Sequence, residues 1–427
     1  MLDIRLIRAD PAGVKAELAK VGVEPAQVDA LLDADRQRRE AIQAVETLRA
    51  ERTAASKAIR DQKDPAAREA AIAAQRGVGE RIAVAEAAVT AAEAEFERRM
   101  LEMPNLPHPD VPVGPDESAN VVVRTEGELP TYDFQPIPHW DLGPRLGIID
   151  FERGVKVSGT RFYVLRGMGA RLQRALIAWM LDLHSTERAY VEVYPPAMVR
   201  GECLVGTGQL PKFADTVYRD IEDDAWWVPT AEVPVTNMYR DEILDAEALP
   251  LRHVAYSPCF RREKMSAGRD VRGIKRGHQF DKVELLKFVR PETSDAELMS
   301  LLDDAETVCR RLGLAHRVVQ MCTGDLSFTA AMKFDVEVWA PGCGEWLEVS
   351  SCSNFRDFQA RRAGIRFRPA PGAKPELVHT LNGSGLGLPR TLLAVLETYQ
   401  RADGSITVPE VLRPYVGADV IASGDPT

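Results

Sequence analysis

The chain has 427 residues, more than one ordinary hydrophobic core holds, so we expect a domain of catalytic size and at least one smaller module. Apolar residues make up 45% and charged residues 28%, which excludes general disorder and collagen-like repeats. The chain has 54 Lys and Arg against 64 Asp and Glu. The resulting net charge of −10 excludes a polybasic protein that coats nucleic acid by bulk attraction, although local basic patches remain allowed.

The N-terminal residues, the apolar runs and the cysteines favour a cytoplasmic protein. Charge begins at Asp3, so the first residues do not resemble a secretory signal. The apolar run near residues 175–181 ends at Asp182, far short of the roughly 20 residues that span a bilayer. The six cysteines include no C-x-x-C pair, which is typical of reduced thiols. We therefore predict a cytoplasmic protein with no membrane partner.

Two seven-residue patterns predict a long helical hairpin over about residues 28–101. In the first helix the small and apolar positions are Leu31, Val45 and Ile59 in one series, and Ala34, Ala41, Leu48 and Ala55 in the other. A second helix repeats the pattern with Val78, Ala85 and Ala92, and with Ile82, Val89 and Phe96. The intervening residues 61–65 contain Pro65 and no apolar side chain, so the helices should fold back into an antiparallel coiled coil.

Basic side chains concentrate at the far end of this hairpin. Between Arg49 and Arg81 there are eight basic and five acidic residues, although the whole chain is acidic. Such a pattern indicates a local contact for a phosphate backbone. A dimerisation coiled coil or a spacer is the alternative.

A proline-rich stretch follows the hairpin and marks a domain boundary. Four prolines fall within residues 104–112, which excludes helix and predicts a stiff, extended linker. Beyond it, residues 170–184 and 294–312 have helical patterns, whereas residues 190–194, 283–288 and 334–339 are predicted strands. An antiparallel sheet with flanking helices is the simplest fold for this order. The chain has no phosphate-binding G-x-x-x-x-G-K-[ST] loop and no zinc-type His/Cys spacing.

An arginine-rich segment stands between two further predicted strands. Residues 260–263 read FRRE, residues 266–273 read SAGRDVRG and residues 278–284 read HQFDKVE. Interpreted as strand, loop and strand, they predict a hairpin. Its arginines can form bidentate hydrogen bonds with phosphate, and Phe280 on the second strand can stack on a nucleotide base. A surface hairpin with solvated arginines is the alternative interpretation.

Other motifs follow in an order that identifies a family. They read GTGQLPKF at 206–213, TAEVP at 230–234, SSCSN at 350–354 and HTLNGSGL at 379–386, with Arg390 after the last. The hairpin resembles motif 2 of class II aminoacyl-tRNA synthetases, and the last segment resembles motif 3. Together these motifs resemble the bacterial type of the seryl-tRNA synthetase family, and similar segments extend from residue 1 to residue 415.

The resemblance implies an α+β fold. It consists of an antiparallel class II synthetase catalytic sheet of six to seven strands with flanking helices, preceded by a long antiparallel coiled-coil hairpin. The implied domains are an N-terminal tRNA-binding hairpin at 1–103, a Pro-rich linker at 104–115 and a catalytic domain at 116–427. The resemblance also implies a homodimer that joins around residues 170–196, and an arm that grips the variable arm of serine tRNA. The arm cations, as we call the predicted tRNA contacts, are Arg49, Arg52, Lys57 and Arg60.

The implied reaction is activation of L-serine by ATP, followed by transfer of the seryl group to the 3′ end of serine tRNA, and of selenocysteine tRNA where the host has one. No covalent enzyme intermediate is needed, so the protein aligns reactants and neutralises charge. The implied catalytic residues are Arg261 and Arg390, with Glu263 on the adenine amino group and Phe280 stacked on its ring. The implied ATP-binding residues are Arg261, Arg262, Glu263, Phe280, Glu348, Val349, Ser350, Ser351 and Arg390. Glu348 and Ser351 are the implied ligands of Mg²⁺.

Serine recognition maps, by the same resemblance, to Thr230, Ala231, Glu232, Arg261, Glu284, Asn382 and Ser384. Carboxylates suit serine because its ammonium needs a counter-charge and its hydroxyl needs an acceptor. One departure from the family pattern lies at Lys264 and Met265, where small residues are usual, in a loop that would meet the tRNA acceptor end. This departure leaves open a duplicated copy used in antibiotic biosynthesis or self-protection. An inactive paralogue that regulates by binding tRNA is the alternative outside enzymes.

Overall fold

The structure is a computed structural model, and it describes residues 1–264 and 272–424 of the chain. The chain divides into two compact units, Leu2–Pro104 and Asn105–Thr427, and Met1 is assigned with the second. We call them the N-terminal unit and the C-terminal unit. The division falls just after Pro104, and residues 105–115 belong to the C-terminal unit.

The helices within the described residues are α1 Ile4–Ala9, α2 Pro11–Ala19, α3 Pro25–Asp61, α4 Pro65–Glu102, α5 His139–Arg145, α6 Phe151–Ser158, α7 Gly167–Glu187, α8 Gly201–Thr207, α9 Glu232–Asn237, α10 Ser294–Leu312, α11 Phe358–Ala363, α12 Leu388–Thr398 and α13 Arg413–Val416. None of them is long and apolar enough to cross a membrane.

The strands in the same residues are β1 Val121–Glu126, β2 Ile149–Asp150, β3 Val164–Leu165, β4 Val191–Val193, β5 Met198–Val199, β6 Trp226–Trp227, β7 Ile243–Asp245, β8 Leu251–Phe260, β9 Gln279–Val289, β10 His316–Gln320, β11 Met332–Ala340, β12 Glu345–Arg356, β13 Arg366–Arg368, β14 Glu376–Leu377, β15 His379–Gly387, β16 Ile406–Thr407 and β17 Val420–Ile421.

The N-terminal unit is built around the predicted antiparallel pair of helices, α3 and α4. Asp64 caps α4 by accepting hydrogen bonds from two main-chain N–H groups, and Pro65 occupies the first turn, where no N–H is needed. The seam buries Leu31 and Val45 of α3, and Ile82 of α4. The distal third of the hairpin buries few side chains, so most of its surface is available to solvent.

The main sheet of the C-terminal unit has eight strands in the order β1-β10-β11-β12-β15-β9-β8-β4. Every neighbouring pair is antiparallel except β4 and β8 at one edge, which run parallel. The predicted antiparallel sheet with flanking helices is confirmed. It has one strand more than the predicted six to seven, because the solvent-exposed strand β1 pairs with β10 and extends the other edge.

The side chains of the central strand β9 point alternately to the hydrophobic core and to the opposite face of the sheet. Val283 and Leu285 lie in the core cluster that also contains Leu301 of α10 and Leu393 of α12. Because neighbouring side chains of a strand point to opposite faces, the even-numbered residues Phe280, Lys282 and Glu284 share the other face. The sheet therefore has one face covered by helices and one that carries polar residues. The predicted helix at 294–312 coincides with α10, and the helix predicted at 170–184 lies within α7.

Candidate active site

A cavity of about 420 Å³ lies over the polar face of the main sheet. The predicted site residues that line it are Thr230, Glu232, Arg261, Glu263, Phe280, Glu348, Val349, Ser351, Asn382, Ser384 and Arg390. They come from β9, β12 and β15, from the N-terminal turns of α9 and α12, and from the residues after β8. Residues far apart in the sequence thus converge on one volume.

Two buried carboxylates, Glu232 on the cavity wall and Glu284 directly behind it, are connected by Asn382. Asn382 Nδ2 donates to Glu232 Oε2 at 2.8 Å and to Glu284 Oε1 at 3.1 Å. Thr230 Oγ1 donates to the second oxygen of Glu284 at 2.9 Å. Asn382 Oδ1 is buried and has no hydrogen-bond partner within the described part of the chain. The group therefore offers two anions and one unused acceptor to a small cationic ligand.

Charge balance in this pocket comes from residues that sequence reasoning did not select. Lys282 Nζ forms an ion pair with Glu284, and Gln359 Nε2 donates to Glu232 Oε1 at 2.5 Å. Burial, followed by the neighbouring charge of Glu284, raises the pKa of Glu232 from 4.5 to about 7. Two buried carboxylates that share one donor cannot both ionise without cost. A ligand that brings a positive charge would relieve this cost.

Arg261 lies beside the carboxylates, where β8 ends. Its main-chain N–H donates to the carbonyl of His278 at 2.9 Å, which closes the base of the arginine-rich hairpin. The guanidinium donates to the Pro229 carbonyl at 3.2 Å and lies 5.0 Å above the ring centroid of Phe280. Within the described residues Arg261 has no carboxylate partner, so its charge is available to an anionic ligand.

Arg390 and Glu348, which also line the cavity, form a pair. Arg390 Nη1 donates to the carbonyl of Glu348 at 2.8 Å and lies 3.5 Å from its carboxylate. Burial acts to raise the pKa of Glu348, but the charge of Arg390 and other nearby cations outweighs it, and the pKa is lowered. Ser351 lies three residues further along the same strand, beyond a β-bulge. The arrangement keeps a carboxylate ionised next to a cation and a hydroxyl group.

Glu263 begins the segment that leaves the sheet and is held in a strained conformation. Its φ of 47° is in the left-handed region, which is unusual for a residue with a side chain. Arg161, which also has a positive φ of 64°, donates from Nη1 to the Glu263 carbonyl at 3.3 Å. Arg276 forms an ion pair with the Glu263 carboxylate across the hairpin at 3.6 Å. These contacts fix the start of the loop close to the cavity.

Comparison with known proteins identifies the family. Residues 216–399 match the model of the tRNA synthetase class II core domain (G, H, P, S and T), and residues 1–107 match that of the seryl-tRNA synthetase N-terminal domain. The chain is 65% identical over 417 residues to the serine–tRNA ligase of Roseiflexus sp. (strain RS-1), with 98% of each chain covered. The chain belongs to the seryl-tRNA synthetase family.

Two further relatives extend the similarity to the whole fold. The serine–tRNA ligase of Roseiflexus castenholzii (strain DSM 13941 / HLO8) is 63% identical, with 99% of each chain covered. The crystal structure of the seryl-tRNA synthetase from Pyrococcus horikoshii complexed with ATP is 38% identical, with a TM-score of 0.91 and 100% of each chain covered. The predicted class II synthetase fold is thereby confirmed.

Four of the predicted site residues do not line the cavity of this synthetase. Arg262 turns away, since its Nε donates to the Val217 carbonyl at 3.0 Å. Ser350 is buried and donates to the Ser384 carbonyl at 2.7 Å. Ala231 lies in a small core cluster, so only its main chain is suited to contact a ligand. Glu284 lies behind the cavity surface, where it is completely buried.

The remaining sequence-based predictions concern residues outside the cavity. The arm cations are all exposed, and Arg49 forms an ion pair with Glu86 at 2.8 Å. Lys264 is the last described residue before position 265, and Met265 lies outside the described residues. The structure adds Lys282 and Lys333 to the cavity lining. The sequence could have indicated Lys282, because it lies two residues from both Phe280 and Glu284 on β9 and therefore points to the same face.

Proposed function

We propose that the chain activates L-serine with ATP to form seryl-adenylate and transfers the seryl group to the 3′ end of serine tRNA. The observation that carries this proposal is the pair of buried carboxylates, Glu232 and Glu284, joined through Asn382, which lines the same cavity as Arg261 and Arg390. One end suits an amino acid with a small polar side chain. The other end suits phosphate.

Serine fits the carboxylate end of the cavity for chemical reasons. Its α-ammonium supplies a counter-charge for Glu232, which lacks the kind of ion pair that Lys282 forms with Glu284 among the described residues, and its hydroxyl can donate to the same carboxylate or to Asn382 Oδ1. Alanine would leave these buried groups unpaired, so we expect its rejection by about 10⁴-fold, as in other sites that hydrogen-bond a hydroxyl. Thr230 and Ser384 complete the polar lining.

ATP binding is supported by the ATP complex of the Pyrococcus horikoshii relative and by the arginines of the cavity. In our proposal Arg261 lies between the serine carboxylate and the α-phosphate, and its charge offsets the repulsion between two anions as they approach. Phe280 supplies a face for adenine, Glu263 accepts from its amino group, and Arg390 binds the distal phosphates. Neutralising and aligning the reactants in this way lowers the barrier without a covalent enzyme intermediate.

Glu348 and Ser351 suit Mg²⁺, because both present hard oxygen ligands on one strand. Asp335 on β11 lies directly opposite Ser351, and its buried Oδ1 has no hydrogen-bond partner within the described residues, so this corner has spare oxygen capacity. When bound, the ion would neutralise phosphate charge. Glu348, whose pKa is lowered, is ionised and ready to bind a cation at neutral pH.

The partners follow from the same proposal. The N-terminal hairpin, within residues 1–103, would bind the variable arm of serine tRNA through the arm cations, and selenocysteine tRNA where the host has one. A second copy of the chain would join at the edge of the main sheet, where Val191 of β4 is 60% exposed and Tyr194 is 87% exposed. A protein of this function works in the cytoplasm.

The test is exchange of labelled pyrophosphate into ATP without tRNA, with serine, threonine, alanine, cysteine or glycine as the amino acid. We expect exchange with serine far above the other four. Absence of exchange with every amino acid, from folded protein with magnesium, would contradict the proposal. That result would favour the alternative of an inactive paralogue that binds tRNA.

A further inference from the structure

A buried histidine outside the predicted site connects the arginine-rich hairpin to helix α12. His139 begins α5 and is 0% exposed. Its Nδ1 lies 2.8 Å from Glu397 Oε1, and the main-chain N–H of Ile274 donates to its Nε2 at 3.1 Å. Ile274 belongs to the stem by which the hairpin returns to the sheet. The ring therefore lies between that stem and the helix that carries Arg390.

These two contacts define the protonation state of the ring. Nε2 accepts from Ile274, so it must carry a lone pair, and the single ring proton must be on Nδ1, from which it is donated to Glu397. The side-chain amide of a glutamine or of an asparagine at this position could reproduce only one of the two contacts. The neutral tautomer is thus required for both contacts to exist together.

Glu397 holds the histidine firmly because its carboxylate accepts four hydrogen bonds. Oε1 accepts from the His139 N–H at 2.9 Å and from Cys343 Sγ at 3.1 Å, in addition to Nδ1. Oε2 accepts from the Cys343 N–H at 3.0 Å. Although His139, Cys343 and Glu397 lie as close together as metal ligands do, a metal on Nδ1 would require a ring with no proton at all. The cluster is therefore a hydrogen-bonded anchor.

The return stem is linked to α12 in two ways, once through His139 and once directly. In the first, His139 joins Ile274 to Glu397, near the end of the helix. In the second, Arg390 Nε donates to the carbonyl of Lys275 at 3.4 Å, near the start of the helix. Arg390 and Glu397 are seven residues apart, about two helical turns, so they lie on the same side of the helix. The stem thus runs along this side and contacts the same arginine that faces the cavity.

The neighbouring residues leave little freedom at this contact. Gly273 has a φ of +74°, and a Cβ added to it would lie 2.0 Å from His139 Nε2. The next ring along the chain, Trp140, has the Arg272 guanidinium 4.8 Å from its centroid. A glycine is therefore needed both for the backbone conformation and for the close approach to the histidine.

We propose that His139 is a positioning residue for ATP, acting through Ile274 to hold the return stem and Arg390 in the geometry that binds the nucleotide. The inference rests on the proposed function, since it concerns the ATP of the same reaction. His139 itself touches neither substrate. Its loss should raise the Michaelis constant for ATP and leave that for serine nearly unchanged, because the described main-chain hydrogen bonds of Ile274 and Lys275 lead to His139 and Arg390 and not to Glu232, Glu284 or Asn382.

The test uses two substitutions that divide the contacts of the ring. An asparagine amide can occupy the place of Nδ1, so His139→Asn keeps a donor to Glu397 and loses the acceptor for Ile274. A glutamine amide can reach the place of Nε2, so His139→Gln keeps the acceptor and weakens the contact with Glu397. The KM for ATP, the KM for serine and kcat are measured by serine-dependent pyrophosphate exchange, with the melting temperature of each variant.

We expect His139→Asn to raise the KM for ATP about three- to tenfold, the effect of one hydrogen bond, with the KM for serine within about twofold of the wild type. His139→Gln should keep a KM for ATP close to that of the wild type even if its melting temperature falls. A purely structural histidine would lower the melting temperature in both variants without this difference. Equal KM values for ATP in the wild type and His139→Asn, or equal defects in the two variants, would overturn the proposal.

A second pair of variants covers the case in which the buried substitutions prevent folding. Gly273→Ala pushes against the same histidine from the loop, whereas Gly372→Ala places a Cβ at a similar φ of +81° with nothing within 4 Å. Only Gly273→Ala should raise the KM for ATP, and an unchanged value would contradict the inference. Failure of the wild type to exchange with serine would instead refute the proposed function, so the two failures are distinguishable.

Discussion

Lowering the pH should weaken serine binding through Glu232. Burial and the charge of Glu284 raise the pKa of Glu232 from 4.5 to about 7. The serine ammonium needs the ionised form of this carboxylate. Below pH 7 the group is mostly protonated, and one of the two negative charges of the pocket is lost. Above pH 7 it is ionised, and the pocket is ready for the substrate.

The size of the effect follows from the titration of a single group. With a pKa of about 7, about ten in eleven molecules carry the ionised carboxylate at pH 8, and about one in eleven does so at pH 6. If only the ionised form binds serine, the KM for serine rises about tenfold between these values. With Glu232 at its ordinary pKa of 4.5, the same change of pH would alter the KM by less than about a tenth.

The assay is serine-dependent pyrophosphate exchange at saturating ATP from pH 6 to pH 8. Glu232→Gln is the matched variant: its KM should be high and nearly independent of pH, while any titration of serine itself remains. The KM for ATP at saturating serine serves as the control within the wild type. A wild-type KM for serine that changes less than twofold, or that changes in parallel with Glu232→Gln, would refute the assigned role of this carboxylate.

Three further variants test other parts of the site and the arm. Arg261→Ala should abolish exchange with a melting temperature close to that of the wild type, because the described contacts of the side chain are one hydrogen bond and one ring; retained turnover would show that another cation acts. Lys282→Met should lower the free energy of unfolding by about 3–5 kcal/mol, since it leaves Glu284 without its ion pair. It should also enlarge the stabilisation by serine in a thermal shift assay, and Lys282→Arg is the control. Replacing all four arm cations by alanine should raise the KM for tRNA and reduce its salt dependence, with pyrophosphate exchange unchanged; equal loss of both activities would contradict separate roles.

Periodic elements of the fold were predictable from the sequence. The heptads gave the hairpin of α3 and α4, and the helix at 294–312 was predicted at its observed bounds, because its apolar spacing and first-turn acids are local signals. Edge strand β1 was not predicted. Its three valines are all exposed, so they show no alternation between core and solvent, and the strand exists because β10 offers an unpaired edge.

Site residues were predictable where a linear motif contains them, and not where the fold supplies them. Arg261, Phe280 and Arg390 stand in motifs and meet in one cavity. Gln359 fixes Glu232 from more than a hundred residues away, in a segment with no motif of its own. His139 carries no sequence signal either, because its partners Ile274 and Glu397 become neighbours only after the sheet and α12 have formed.

The most direct test of the central claim is attachment of labelled serine to tRNA. Purified serine tRNA, ATP, magnesium and labelled serine are incubated with the full chain, and acid-precipitable label is counted, with Arg261→Ala as the control. We predict ATP-dependent labelling of serine tRNA by the wild type and none by the variant. A wild type that exchanges pyrophosphate with serine yet leaves serine tRNA unlabelled would contradict the claim that this chain charges tRNA.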